Sequence, residues 1–437
     1  MKTKILEYFF LTTRAKGDFV HKNQRYENEL SQFSHRLCSC RHLRRDVAME
    51  RTTGHYVTTL YHDEEVQAFV PRTLPPDPPL NFDLNLINAL NTAAGALGRL
   101  DGAAPLLPNE GLLLYSYIRK EAVLSSQIEG TQSTLSDLMR YEIDAAAGVP
   151  FDDVIEVSNY ARAFDHAREQ MTSPDGLPLC NRLLRAVHDI LLTGTRSADK
   201  LPGEFRKSQN WIGGRRPGVA HYVPPPHEQA AEAISELEKF LHASDGLPPL
   251  VRAGLAHVQF ETIHPFLDGN GRVGRMLILL VLLDRGAIAT PALYLSLYLK
   301  QQRSQYYELL DAVRARGDWE AWLLFFFEAV TVAANSAVET ARRIADLTAR
   351  DLARVQHAPH TTGSTLRVLR ALSERPATNI NRAANQTGLT RPTVATALNR
   401  LCGLGVAREV TGRARDRVFV YTEHLRILNE DTEPLWG

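Results

Sequence analysis

Cysteine is scarce in this chain: four residues, Cys38, Cys40, Cys180 and Cys402, in 437. They are scattered without metal-ligand spacing, which leaves free thiols in a reducing cytoplasm as the expectation. Neither sign of charge prevails, because 50 basic and 50 acidic side chains cancel. That balance argues against bulk affinity for nucleic acid while leaving room for a local basic patch. Long apolar runs are missing too. The stretch after Met276 stops at Asp284 and Arg285, too soon to cross a bilayer, so no membrane partner is expected. Ile5 to Leu11 is interrupted by Glu7 and followed by no small-residue cleavage site, so it does not read as a secretory signal. No internal repeat is present.

What is there is 44% hydrophobic and 23% charged, the make-up of a soluble globular protein of two or three domains. Residues 1–48, rich in Lys, Arg and His, show no sustained period; the expectation is a disordered extension, or a start assigned too early with Met49 the working one. Pro71-Arg-Thr-Leu-Pro-Pro-Asp-Pro-Pro79 is an extended lead-in. Helical periodicity then dominates to about residue 355, interrupted by Pro-rich connectors near 105, 174, 224 and 248. The fold class is therefore mainly α, with one small β-hairpin.

The chemistry concentrates in His264-Pro-Phe-Leu-Asp268-Gly269-Asn270-Gly271-Arg272-Val273-Gly274-Arg275. Glycines let backbone N–H groups approach an anion, arginines fork onto phosphate oxygens, and one carboxylate can hold Mg2+ that keeps its waters and the substrate phosphates. The apolar run from Met276 implies a buried helix whose positive end points at the loop. A calcium loop is disfavoured because Arg272 falls where an oxygen is needed and the distal Glu is missing. A plain turn explains the glycines but not His264 and Arg275, and no Gly-Lys-Ser/Thr phosphate loop occurs here.

This segment resembles the Fic-domain signature His-x-Phe-x-Asp/Glu-Gly-Asn-Gly-Arg-x-x-Arg, with every defined position filled. Fic proteins are mostly protein adenylyltransferases, nucleotidyltransferases that move AMP from ATP to a hydroxyl of a target protein, so the resemblance implies an all-helical Fic fold, ATP as co-substrate and Mg2+. It implies that His264 is the general base for a Ser, Thr or Tyr hydroxyl, its usual pKa of about 6.5 suiting that task. Phe266 would anchor the loop, Asp268 would hold the metal, and Gly269, Asn270 and Gly271 would form the anion nest. Arg272 and Arg275 would clamp the phosphates, with Val273 and Gly274 between them counted in the nucleotide site.

Flanking segments extend the resemblance. Phe205 to Arg215, containing Ile212-Gly213-Gly214-Arg215, and His221 to Pro226 have a Gly-turned hairpin composition where the family carries a flap that aligns the target by strand addition. Gln301 to Arg314 resembles the adenine-side helix, with Tyr306 and Tyr307 as base contacts and Arg314 at its end; a Tyr-Tyr pair on a helix is otherwise more often packing. Upstream, Ser125-Ser-Gln-Ile-Glu129-Gly130 resembles the family's inhibitory motif, in which the Glu pairs with the last arginine of the signature, here Arg275. Ser126-x-x-Glu129 also fits a helix-start capping box, against which the helical pattern of Leu112 to Leu124 counts.

After a polar connector at His357 to Gly363 the pattern changes to three short helices, two strands and a basic turn. This resembles a winged helix-turn-helix, with Arg391, Thr393, Thr396 and Arg400 on the would-be recognition helix and Arg413, Arg415 and Arg417 in the wing. Thr390 would cap that helix, with Pro392 in its first turn. Such domains bind DNA or serve as protein docks and dimer parts. The expected organisation is 1–48, an N-terminal segment 49–140 with the inhibitory helix, a catalytic core 141–355 and a winged-helix domain 356–437. An autoinhibited adenylyltransferase, capable of self-modification, is the leading expectation. The alternative is a DNA-binding regulator, in which the Fic body senses ATP; a homodimer fits either.

Overall fold

The computed structural model describes residues 51–61, 64–103, 110–143 and 151–434; the segment 1–48 and the connector near 105 lie outside them. Among the described residues the chain is mainly α with two small antiparallel sheets. The first sheet departs from the sequence reading. Strands β1 (Gly54–Tyr61) and β2 (Glu64–Pro71) pair from Gly54 opposite Pro71 to Tyr61 opposite Glu64, just ahead of the Pro-rich lead-in. Val66 and Ala68 of β2 turn inward and meet Val223 in a small core of their own, while Tyr56 and Leu60 face outward, the two-residue period of a half-buried strand.

Eleven consecutive α-helices follow among the described residues. They are α1 (Leu84–Ala103), α2 (Glu110–Ile128), α3 (Leu135–Ile143), α4 (Phe151–Thr172), α5 (Asn181–Leu192), α6 (His227–His242), α7 (Pro249–Ile263), α8 (Asn270–Asp284), α9 (Ser296–Gln301), α10 (Arg303–Arg316) and α11 (Trp319–His357). The capping-box reading of Ser126 and Glu129 fails, since α2 runs unbroken past Ser126, whose hydroxyl finds no partner. The cap lies further on: Thr134 Oγ1 accepts from Asp137 N at 3.2 Å and Asp137 Oδ2 accepts from Thr134 N at 3.0 Å, opening α3.

Helices α7 and α8 form the central hairpin. Every residue from Leu250 to Ile263 is buried, as is nearly all of α8, so neither helix keeps a polar face to solvent, and the polar residues they carry, such as His257, Glu261 and Arg275, are buried with the rest. Helix α11, 39 residues long, is long and apolar enough by composition to cross a membrane, a run longer than the one after Met276 on which the expectation of no membrane span rests. Its Trp322, Leu323, Phe326 and Phe327 are fully buried inside this fold.

Helices α12 (Gly363–Glu374), α13 (Ile380–Thr387) and α14 (Arg391–Gly403), strands β3 (Ala377–Asn379), β4 (Ala407–Glu409) and β5 (Val418–Tyr421), and helix α15 (Thr422–Asn429) complete the chain. The sheet order is β3-β5-β4, both pairs antiparallel. Thr362 and Asn379 cap their helices with side-chain oxygens. Thr390 occupies the cap position of α14, but its hydroxyl meets Thr393 Oγ1 at 2.8 Å instead of a backbone N–H. One hydrophobic core runs from Leu86 to Leu428, so packing shows no gap at the boundary expected at 355/356.

Candidate active site

The turn between α7 and α8 carries the signature loop, and its shape is set at two ends. His264 ends α7 in the left-handed conformation, φ 49° and ψ 61°, which costs a non-glycine residue of order 1 kcal/mol or more and persists only where neighbours enforce it. Arg206 does so: its Nε donates to His264 O at 2.9 Å, and its backbone N donates to Pro265 O at 2.9 Å. At the other end Asn270 closes a ring on Phe266, Oδ1 accepting from Phe266 N at 2.9 Å and Nδ2 donating to Phe266 O at 2.8 Å. Phe266 is buried and stacks on His188 at 3.8 Å. Asn270 therefore shapes the loop as much as it lines a nest.

Gly269, at φ 76°, precedes α8 without a capping side chain, so the first-turn N–H groups point at the loop's concavity, the geometry that binds anions. A cavity of about 350 Å³ opens there, lined by His264, Asp268, Gly269, Asn270, Gly271, Arg272, Ile212, Gly213 and Glu129 among others. His264 and the phosphate-type loop thus share one space.

Electrostatics refine the roles. Burial first, then Arg206, lowers His264 to about 4, well under the ordinary value assumed from sequence. The imidazole is neutral at pH 7, hence able to accept a proton, though it is a weaker base than an exposed histidine. Among the described residues its Nδ1 makes no hydrogen bond of good geometry. Burial raises Asp268, but Ser197, Arg272 and the Gly269 N–H outweigh it and bring the carboxyl below its usual value. Ser197 Oγ donates to Asp268 Oδ2, and Gly269 N donates to Oδ1 at 2.6 Å. His188 fixes the same residue from behind: its Nδ1 accepts from Gly203 N at 3.0 Å, so its Nε2–H donates to Asp268 O at 3.0 Å.

Arg272 Nη1 pairs with Glu156 Oε2 at 2.9 Å, and Arg196 Nε lies 3.0 Å from Glu156 Oε1. Arg275, 2% exposed, is closed on three acceptors of α2 and its end: Nε to Ser125 Oγ at 2.8 Å, Nη2 to Ser125 O at 2.9 Å and to Glu129 Oε1 at 2.7 Å. Burial would raise Glu129, but Arg275 holds its carboxyl below the usual range. Gly130 turns the chain away at φ 101°. The pairing read from the motif is present.

The flank residues divide. The flap is a single bridge, Ile212 opposite Tyr222, not a hairpin ladder; Pro217 and Pro224 to Pro226 lack the N–H a ladder needs. Gly213 and Gly214 take positive φ in its turn, and Arg215 is exposed. Tyr306 is buried with its hydroxyl 2.9 Å from His257 Nε2, so it packs behind the site; Tyr307, 39% exposed, keeps a reachable face. Arg314 lies over the Tyr222 ring at 4.1 Å and pairs with Asp311, bracing the flap from below. Val273 is core, and Gly274 gives room to Glu261. Glu156 and Ser197, which bond Arg272 and Asp268 from 116 and 71 residues away, stand in no motif, and Arg196 joins them through Glu156; Arg206 and Asn210 lie in the flap segment 205–215, whose composition does not mark their bonds to His264 O and Phe266 O.

The described residues include no group of three or more metal-ligating side chains. Of the carboxylates lining the cavity, Glu156 and Glu129 are paired with Arg272 and Arg275, which leaves Asp268 beside the anion-binding helix end, a single carboxylate that fits Mg2+ held mostly by waters and phosphates.

The fold and this loop define a class, a helical domain that presents a histidine and an anion-binding helix end to one cavity. Residues 87–169 match the Fic/DOC family N-terminal segment and residues 178–282 the Fic/DOC family itself. Residues 87–282 thus carry a Fic/DOC domain with its N-terminal segment. The chain is 39% identical over 125 residues to a protein adenylyltransferase Fic of Drosophila grimshawi, covering 28% of this chain and 23% of that relative. It is 38% identical over 125 residues to that of Drosophila mojavensis, covering 28% and 22%. The chain thus spans about a quarter of the length of these relatives. A Fic family protein from Desulfovibrio desulfuricans G20 superposes with TM-score 0.52 at 21% identity, over 78% of this chain and 97% of that one, a likeness of fold.

Proposed function

We propose that this protein is an autoinhibited protein adenylyltransferase, transferring AMP from ATP to a Ser, Thr or Tyr hydroxyl of a target protein. The observation that carries the reading is that His264 and the glycine-arginine helix end line one cavity whose inner wall is Glu129. The neutral His264 takes the hydroxyl proton as oxygen attacks the α-phosphate. Arg272 and the first-turn N–H groups of α8 hold the phosphate chain, and positioning with fixed charge is most of what such transfer requires. Asp268, steadied by Ser197 and His188, would hold Mg2+, which would supply charge neutralisation for the departing pyrophosphate. The flap segment at Ile212 offers backbone for an extended target strand.

Glu129 occupies one arm of Arg275 that a terminal phosphate would otherwise take, and restrains transfer by holding ATP out of its productive pose. Two charges at this distance in a partly buried site couple strongly enough to bias a two-state switch. The test is α-labelled ATP with Mg2+ and a cell lysate: Glu129→Gly protein should label itself or target bands, His264→Ala in that background should not, and no label from either refutes the enzyme.

The alternative, a DNA-binding regulator that uses the same body as an ATP sensor, draws support from Arg391 exposed at the start of α14 and from Arg413 and Arg415 exposed between β4 and β5. Arg400 is less available, donating to Pro359 O. If this surface binds duplex DNA, affinity falls steeply with salt; absence of any duplex shift at low salt removes this reading.

A further inference from the structure

Helix α2 has two working faces. At about 100° per residue, Ser125 and Glu129 look toward Arg275, while Lys120 and Gln127, seven residues apart, look the opposite way. That second face receives the end of the chain. Lys120 Nζ donates to Glu430 O at 2.9 Å. Gln127 Nε2 donates to Thr432 O at 2.8 Å and to Ser133 O at 2.9 Å. Gln127 Oε1 accepts from Lys300 Nζ at 2.7 Å, and Lys300 also donates to Glu433 O.

Lys120, Gln127 and Lys300 are 2%, 4% and 5% exposed. Long polar side chains buried this far are costly unless their polar ends find partners, and here the main-chain carbonyls of Glu430, Thr432 and Glu433 supply one to each. Burial lowers Lys120 to about 8 and Lys300 below its ordinary value, with Asp431, Glu430 and Glu433 acting in the opposite sense. The satisfaction of these groups therefore depends on the tail being seated. The tail in turn continues from α15, which Asn429 fixes to Ser136 Oγ at 2.7 Å and Glu430 fixes to Arg343 at 2.6 and 2.8 Å.

We propose that Lys120, Gln127 and Lys300 form a socket for the chain's own residues 430–433, and that the seated tail holds α2 where Glu129 reaches Arg275. The C-terminal elements are thereby coupled to the catalytic cavity through one helix, gripped by Arg275 on one face and by the tail on the other. This rests on the reading that Glu129 restrains transfer. Gln127 is the hinge of the coupling, because it touches the tail, Lys300 and the turn after α2, two residues from Glu129.

The test compares wild type, deletion of residues 431–437, Lys300→Met, Glu129→Gly and the deletion combined with Glu129→Gly. Two readouts are taken, incorporation of α-labelled ATP and amide exchange of the peptide covering 121–129. The deletion and Lys300→Met should each raise incorporation about tenfold, add nothing on the Glu129→Gly background, and speed exchange in 121–129 of α2 while α7 and α8 stay protected. Should Glu129→Gly raise incorporation while the deletion and Lys300→Met leave it at the wild-type level, the socket is wrong and the restraint by Glu129 stands. Should Glu129→Gly itself do nothing, the restraint falls, and exchange alone judges the socket: unchanged protection of 121–129 in Lys300→Met overturns it. Lys300→Met keeps the volume and all of the C-terminal elements, so it answers even where the deletion unfolds.

Discussion

Gly271 passes Glu129 so closely that a Cβ on it would stand 2.2 Å from Glu129 Oε1 and 3.0 Å from Arg275 Nη1. The glycine of the loop and the carboxylate of α2 are thus fitted to one another, and the ion pair with Arg275 closes only because that position is bare. Glu129→Gly should raise AMP incorporation by roughly tenfold or more, the effect of removing a bias of about 1.4 kcal/mol or greater from a two-state switch. It should also lower stability without nucleotide by about 1–2 kcal/mol, discounted because Glu129 is 36% exposed, since Arg275 stays buried without its partner. Saturating ATP should recover the loss. Thermal melts with and without ATP check this; an ATP-independent change of Tm speaks against a shared site.

His264→Ala should cut transfer by about 100-fold or more, the range for loss of a positioned base, with ATP still bound. The acid limb of activity should lie low. With His264 near 4, base function is constant from pH 8 down to about 5 and fails only as pH falls through 4. A limb centred near 6.5 in single-turnover rates would show that the histidine titrates normally.

Arg206→Lys tests how the base is held. A lysine keeps the charge but loses the fork that engages His264 O, Ser208 O and Pro225 O together. Transfer should fall by about tenfold or more with little change in ATP affinity, since displacement of a reacting group by a fraction of an ångström is enough. Equal loss in ATP binding would mean that the whole loop, rather than His264, has moved.

How much of this was legible in the sequence differs by distance along the chain. The loop 264–275 could be read because its base, carboxylate, glycines and arginines are contiguous, and Glu129 because it stands in a short motif of its own. Glu156 and Ser197 could not be read: each reaches the loop from another helix or connector and no local pattern marks it, while Arg206 stands in the flap segment 205–215, whose pattern says nothing of its grip on His264 O. Tyr306 shows the reverse error, a motif-like aromatic that the core claims through His257. The β1–β2 pair escaped because the sequence between Tyr61 and Glu64 holds no Gly or Asn signal, and the flap shrank to one bridge because its prolines remove the donors that its composition had suggested.

Buried histidines make the fold sensitive to acid. His188 and His264 lie near 4 and His257 and His424 near 3, each lowered first by burial from 6.5. A folded pKa below the unfolded one means that the unfolded chain binds more protons as pH drops through 6.5, so stability falls from there toward 4. Glu121 and Glu261, raised to about 7 by burial, oppose this: they take protons in the folded state below 7, before the unfolded chain does near 4.5. Glu156 and Asp165, also raised by burial, act in the same sense as these carboxyls, so the slope between about pH 6.5 and 4.5 is smaller than four imidazoles alone would give. His424 is the clearest contributor, because both its ring nitrogens are buried without a partner, next to Tyr421. Replacing an unsatisfied polar group by an apolar one of similar size removes the desolvation cost. His424→Leu should therefore stabilise the protein by about 1 kcal/mol at pH 7, and by more at pH 5. Urea unfolding at the two pH values measures both; a variant that is less stable than wild type at pH 5 would mean that His424 is satisfied in solution.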